Sequence, residues 1–285
     1  MAVIVVSFNT RELLRQCLAS VTDAGEVWVV DNASEDGSAE MVEREFPNVK
    51  LVRNTTNRGF GAANNMALEL TQKPLILLLN SDARLALGQL AAMVQHFRDS
   101  GVIALGPQLI FPDRRLQNSC ASELTLWRLF CEQFYLEKIF SFSRLFNGYW
   151  QNRWLPTDRV SVVDQVMGAC LMMRRGLKLD DRYFLYCEDT DLCRRLRLQG
   201  KILFDPTLHV VHELGASSTE TRWKSVVQYN LGKCTYFALH HGPVAHRVCW
   251  LMQILGAALR MLIPGKTKLF WNVLKNSRPY TTPLK

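Results

Sequence analysis

The chain has 285 residues, enough for one large α/β domain or a domain with an appendage, and its hydrophobic fraction of 48% is that of a globular protein. The net charge of +8 is unevenly placed: Arg222 to Lys285 holds ten Lys or Arg and no Asp or Glu, so the other 221 residues carry 24 basic and 26 acidic side chains. This excludes a nucleic-acid-binding body and points to a tail that meets an anionic surface. Eight cysteines are scattered without a CxxC pair, and the chain opens on a strand rather than a signal peptide. Reduced thiols in a cytoplasmic compartment are expected, not a disulfide framework or a zinc site.

In chain order, residues 2–6 are a β-branched strand, and Leu13, Leu14, Leu18 and Val21 mark a helix with Asn9 or Thr10 as N-cap. Val27 to Val30 is a second strand, ended by Asp31-Asn32; a helix with Met41, Val42 and Phe46 follows. Val49 to Val52 is a third strand, Gly59 to Leu70 a small-residue helix, and Leu75 to Leu79 a fourth strand. Strands alternating with helices predict a doubly wound, mostly parallel sheet. Beyond it, Val102 to Leu105 and Gln108 to Phe111 read as two short strands, and residues 120–156 as an irregular aromatic segment. Val162 to Met173 reads as extended chain interrupted at Gly168, residues 189–199 as a helix, and Ile202 to Phe204 and Leu208 to Val211 as two further strands. From about Thr221 the chain turns helical.

Two acidic runs carry the chemistry. Leu77-Leu78-Leu79-Asn80-Ser81-Asp82 closes an apolar strand, and a carboxylate there lies at the sheet edge where α/β proteins bind ligands. Tyr186-Cys187-Glu188-Asp189-Thr190-Asp191 opens a helix. One carboxylate to hold a metal and one to take a proton suit a transferase. Asp31, after the second strand, can accept from a base N–H or ribose hydroxyls, or can belong to an ordinary turn and cap cluster. The first loop, Ser7-Phe8-Asn9-Thr10, lacks the G-x-G-x-x-G of dinucleotide oxidoreductases. Asn57-Arg58-Gly59 puts a glycine at a helix start, where phosphate is favoured; close packing of the helix would also explain it. His209 and His212, three apart on a strand, point to opposite faces, so one of them at most faces a site.

Together these stretches resemble the inverting, GT-A-fold glycosyltransferases of family 2. They are Val5 to Asn9, Val30 to Ser34, Asn57 to Asn65, Leu78 to Asp82, Gly168 to Cys170 followed by Arg174-Arg175, Phe184 to Arg195, and His212 with Ser217, spread over residues 1–240. The bacterial branch called rhamnosyltransferases is the most similar, with Asn-x-Asp in place of Asp-x-Asp. The resemblance implies a donor site formed by Ser7, Asn9 and Asp31, by Asn57, Arg58 and Gly59, and by Asn80 and Ser81. It implies Mg²⁺ or Mn²⁺ on Asp82 and His212, and Asp189 as general base. Glu188 and Asp191 flank that base and would raise its pKa, while Arg194 and Arg195 would lower it. The donor would be a dTDP- or UDP-linked sugar, rhamnose by the name of the branch, and the acceptor a glycan or lipid-linked glycan. The place would be the cytoplasmic face of the bacterial inner membrane. A sugar nucleotidyltransferase and a non-catalytic glycan-binding protein are the rival readings.

The resemblance places a catalytic domain over residues 1–240, with a donor half to about 112 and an acceptor half from about 113, then a tail over 241–285. The aromatic segment, with Trp150 and Trp154, would be either the acceptor wall or a small core of its own. Residues 244–263 are apolar except for His246, Gln253 and Arg260 at intervals of seven, with Arg247 outside that stripe. Their helical length is about 30 Å, but a central Arg costs about 2.5–3.5 kcal/mol in a bilayer. Lys266, Lys268, Lys275 and Arg278, interleaved with Phe270 and Trp271, favour an interfacial tail on an anionic leaflet.

Overall fold

The computed structural model describes residues 1–213 and 222–277; Ser217 of the family-like turn and Arg278 of the tail lie outside them. The chain divides into two compact units. The first holds Met1–Ser122, Trp150–Asp181 and the residues from Asp189 to Glu213; the second holds Glu123–Tyr149, Arg182–Glu188 and the residues from Arg222 onward.

The first unit is built on β1 (Ala2–Ser7), α1 (Arg11–Ala19), β2 (Val27–Asp31), α2 (Ser38–Glu45), β3 (Lys50–Arg53), α3 (Phe60–Leu70) and β4 (Leu75–Asn80). It continues through β5 (Ala83–Arg84), α4 (Gln89–Gln95), β6 (Val102–Ile110), β7 (Cys120–Ala121), β8 (Ser161–Val163), β9 (Gln165–Val166) and β10 (Cys170–Arg174). It ends with α7 (Glu188–Leu196) and β11 (Lys201–His212); α5 (Leu126–Gln133) and α6 (Leu136–Ile139) belong to the second unit. The main sheet runs β3-β2-β1-β4-β10-β6-β11-β5, with β8 on β11, and β7 pairs β9 in a separate ribbon. β1 to β4 are mutually parallel, while β10 lies antiparallel between β4 and β6.

Both faces of this sheet are covered, which is why its strands are apolar runs. Along β1, Val3 and Val5 join one buried cluster and Ala2 and Ile4 the other; along β4, Leu77 and Leu79 alternate in the same way with Ile76 and Leu78. α1, α2 and α4 pack on the first face through Leu14, Leu18, Met41, Val42 and Met93, and α3 and α7 on the second through Ala63, Ala67, Leu192 and Leu196.

Two expectations are corrected here. The two short strands expected over 102–111 are one strand, β6, continuing through Gly106-Pro107. The pair expected over 202–211 is also one strand, β11, which absorbs Pro206 in a register shift between Asp205 and His209. Proline suggests a break, but the flanking ladders resume after the irregularity.

In the second unit the aromatic segment is more regular than expected. Thr125 caps α5 by accepting the N–H of Arg128, and Trp127, Phe130, Phe134 and Phe146 form a chain of ring contacts. α8 (Arg222–Met261) is broken at Gly242, φ 82°, next to Pro243, and α9 (Thr267–Asn276) follows. The two sides of this break lie in one compact unit, so the structure draws no unit boundary at 241. Lys233 is wholly buried, and its Nζ meets both Glu132 oxygens at 2.8 and 2.9 Å.

Candidate active site

Apart from Glu188, every residue placed here belongs to the first unit. β1 lies between β2 and β4, and the chain leaves it in opposite directions to reach them. This is the topological switch point at which open α/β sheets bind ligands, off the carboxyl ends of the strands. In register there, Ser7 pairs with Asp31, and Val6 with Asn80.

The loops after β1, β2 and β4 are tied by side chains. Ser7 Oγ lies 3.1 Å from Thr10 Oγ1, which donates to Ser81 Oγ at 2.9 Å. Thr10 stands at the N-cap of α1, but its hydroxyl does not cap the helix; Asp36 accepts the Arg11 N–H instead, at 2.8 Å. Asn9, at φ 55°, donates its N–H to Ser34 Oγ and accepts from Glu35 N–H. Asp31 accepts from Ser34 N–H through Oδ2 at 3.0 Å. Its Oδ1 is buried and has no hydrogen-bond partner among the described residues, an arrangement that favours a ligand donor.

Asn32, which sequence reasoning did not single out for a role, is the hub between the loop after β2 and the segment leading into α3. Its amide donates to Asn57 Oδ1 at 2.8 Å and Gly59 O at 3.2 Å, and its Oδ1 accepts from Asn54 Nδ2 and Arg58 N–H, both at 3.0 Å. Asn57 is thereby a brace, its oxygen shared with Gly59 N–H. Gly59 precedes α3 at φ 84°, a conformation that a side chain would resist. The Arg58 side chain is exposed.

Asp82 and His212 come together as expected. His212 Nε2 stands 3.3 Å from Asp82 Oδ1 and 3.4 Å from Asn80 Nδ2, while His209 is exposed. Gln117 donates its amide to the His212 backbone carbonyl at 2.6 Å, so its own oxygen faces Nδ1 at 3.0 Å. Nδ1 then carries a proton, and in the neutral imidazole Nε2 is the nitrogen left to act as a ligand beside the Asp82 carboxylate. Two acceptors at this distance call for a cation. Adjacent ligands of an octahedral ion at about 2.1 Å lie about 3 Å apart, so the donor set fits a divalent metal. Among the described residues no group of three or more His, Cys, Asp and Glu side chains is gathered for a metal.

Asp189 is anchored on the turn before β10. Its Oδ2 accepts the Gly168 N–H at 2.9 Å and its Oδ1 the Thr190 N–H at 2.8 Å. The next residue, Ala169, accepts the Asn80 N–H at 3.0 Å, so one turn holds both the Asp189 carboxylate and the Asn80 loop. Burial pushes the Asp189 carboxyl above its ordinary value, against the two backbone hydrogen bonds that lower it. The cause is thus desolvation rather than the expected repulsion from its acidic neighbours. Asp191 is 1% exposed and paired with Arg195 at 2.6 Å, one helical turn away. Glu188 is buried and falls in the second unit.

The sequence profile of glycosyl transferase family 2 matches residues 2–152, which is more than half of the chain. This chain belongs to glycosyl transferase family 2. Over 238 residues it is 28% identical to the N-acetylglucosaminyl-diphospho-decaprenol L-rhamnosyltransferase of Mycobacterium tuberculosis, covering 76% of each chain. It is 40% identical to rhamnosyltransferase WbbL of Escherichia coli K12 over 58 residues, 18% of this chain and 22% of that one. The fold matches that of the mannosyltransferase PcManGT from Pyrobaculum calidifontis, solved with GDP-Man and Mn²⁺. The TM-score there is 0.54 at 17% identity, over 97% of this chain and 83% of that one. The family 2 chain is therefore a glycosyltransferase of GT-A fold.

Proposed function

We propose that this glycosyltransferase moves a sugar of the rhamnose type, with inversion, from a dTDP- or UDP-linked donor to a hydroxyl of a lipid-linked glycan. The step would belong to cell-surface polysaccharide synthesis at the cytoplasmic face of a bacterial inner membrane. The observation that carries this reading is the shared turn at Gly168-Ala169, which ties a desolvated carboxylate to the loop of a cation-seeking Asp82–His212 pair. The curated relatives named as rhamnosyltransferases support the choice of sugar.

The residues divide the work. Asp31 Oδ1 accepts from the base or ribose of the donor, and the Asn32 hub holds the neighbouring loops in place. Asp82 and His212 would hold Mg²⁺ or Mn²⁺, which offsets charge on the leaving diphosphate. Asp189, poorly solvated and therefore a stronger base, takes the proton of the acceptor hydroxyl as that oxygen attacks the anomeric carbon. Attack from the face opposite the diphosphate gives inversion. The first loop, with Asn9 and Thr10 braced against neighbouring loops, is not the glycine-rich basic loop that a sugar nucleotidyltransferase would display.

Release of dTDP from dTDP-rhamnose and of UDP from UDP-sugars, with and without a lipid-linked N-acetylglucosamine acceptor, tests the proposal. Acceptor-dependent release of dTDP is expected. Release from UDP-sugars alone would overturn the rhamnose assignment, and no release from any donor would overturn the transfer itself.

A further inference from the structure

The second half of α8 wears its polarity inside out. Cys234 and Cys249 approach to 3.8 Å between sulfurs, and Gln253 donates to Asn230 O at 3.1 Å, so the halves on either side of Gly242 pack antiparallel. Cys249, Gly256 and Ala257 are buried on this side of the second half, and its polar residues are satisfied by protein as well. Gln253 is 4% exposed, His246 lies 3.1 Å from Cys234 O, and Arg260 donates to Gln133 and to Glu132 O. The stripe legible in the sequence at intervals of seven is thus the buried seam.

The opposite face is mostly apolar and exposed, with Arg247 beside its leucines. Val244, Leu251, Leu255, Leu259 and Leu262 are 71, 51, 49, 42 and 80% exposed, at spacings that keep them on one side of the helix. α9 buries Val273 and turns Lys268, Trp271 and Lys275 outward, three and four residues apart. Among the described residues from Arg222 on there are eight Lys or Arg and no acid, and only Lys233 and Arg260 of these have been placed against protein partners above. No helix among the described residues is long and apolar enough to cross a membrane.

We propose that this face docks in the plane of an anionic lipid bilayer. The leucines enter the boundary between head groups and acyl chains, Trp271 sits at head-group level, and Lys266, Lys268 and Lys275 meet lipid phosphates. A soluble helix turns its leucines to the protein and its Gln and Arg to water; here the protein satisfies the polar groups and the leucines are left for an apolar medium. Charge selects the occupant. A second copy paired through the same face would bring two lysine-flanked, acid-free segments together, whereas an anionic bilayer complements their charge. The inference rests on the membrane placement proposed above and assigns the surface responsible.

The test is flotation of the full-length protein with vesicles containing phosphatidylglycerol and with vesicles of phosphatidylcholine alone. Three proteins are compared: the parent, a Leu251→Asp/Leu255→Asp variant and a Lys268→Glu/Lys275→Glu variant. The parent is expected to float with the anionic vesicles, and each variant to lose at least about tenfold in bound fraction with an unchanged melting curve. The lysine pair alters only exposed charge, so it decides the matter even if the aspartates disturb folding. Parent and both variants floating alike would overturn this face while leaving the placement standing. A parent that floats with neither vesicle overturns both. A parent dimer in light scattering that the Leu251→Asp/Leu255→Asp variant abolishes would give the face to a second copy. Nucleoside diphosphate release toward a soluble acceptor analogue is read in parallel, so that loss of catalysis is not mistaken for loss of docking.

Discussion

Gln117 sets the tautomer of His212. The backbone carbonyl of His212 can only accept, so the Gln117 amide must turn its NH₂ there and its oxygen to a proton on Nδ1; Nε2, 3.3 Å from Asp82, is then the nitrogen that a neutral ring offers as a ligand. Gln117 is itself buried, and its backbone carbonyl accepts from Gln108 and Ser119.

A metal-affinity prediction follows from that relationship. Gln117→Leu should weaken Mn²⁺ binding about 10- to 100-fold, the usual effect of removing a partner that orients a ligating histidine. Asp82→Ala should abolish the divalent-dependent part of donor binding. Calorimetric titration of Mn²⁺ in the presence of dTDP or UDP measures both, and equal Mn²⁺ affinity in parent and Gln117→Leu would refute the orienting role.

Asp189→Asn should lower kcat at least about 10²-fold with donor affinity kept, as loss of a general base does. Burial raises the Asp189 pKa from 3.8, so the folded state holds this proton more tightly than the unfolded chain. The stability from Asp189 is therefore full below about pH 4 and lost as pH rises through the raised value. The melting temperature of Asp189→Asn minus that of the parent should grow over that window. A pH-independent difference would show that desolvation does not govern this carboxyl.

Gly168→Ala probes the anchor of the base. A Cβ there would stand 3.1 Å from Asp189 Cβ and 3.4 Å from Oδ2, so the carboxylate must shift. The expected result is a lower kcat with unchanged donor affinity and a melting temperature close to the parent's. A change in donor affinity alone would place Gly168 in the donor site instead.

Asp191→Asn should behave differently from its neighbour. It weakens the ion pair with Arg195 on α7, so denaturant unfolding should show a loss of about 2 kcal/mol, the scale of a hydrogen bond between charged groups. Its kcat should stay well above that of Asp189→Asn. The reverse order of activities would transfer the role of base to Asp191.

What could be read from the chain and what could not divide along physical lines. Leu75 to Leu79 is legible because a strand buried on both faces must be apolar throughout. The pairing of Asp82 with His212 rather than His209 came from the family-like turn; strand alternation said only that the two rings face opposite ways. β6 and β11 were each read as two pieces because Pro107 and Pro206 look like breaks, and a ladder that continues past an irregularity has no local signature. Gln117 was missed for a similar reason. It lies 95 residues from His212, and its importance rests on one carbonyl and one ring nitrogen that only the fold brings near. The aromatic segment concealed α5 because rings that stack on one another at helical spacing resemble an irregular patch when read in one dimension.

The Asn32 amide has a further consequence. Both of its donor hydrogens and both lone pairs of its oxygen are engaged, by Asn57, Gly59, Asn54 and Arg58. The segment after β2 and the segment leading into α3 cannot adjust one without the other. A nucleotide bound at Asp31, as proposed above, would meet loops whose ordering entropy was settled when the chain folded. Selectivity for the base should then appear as steep differences in dissociation rate between nucleotides, not as a slow closing step shared by all of them.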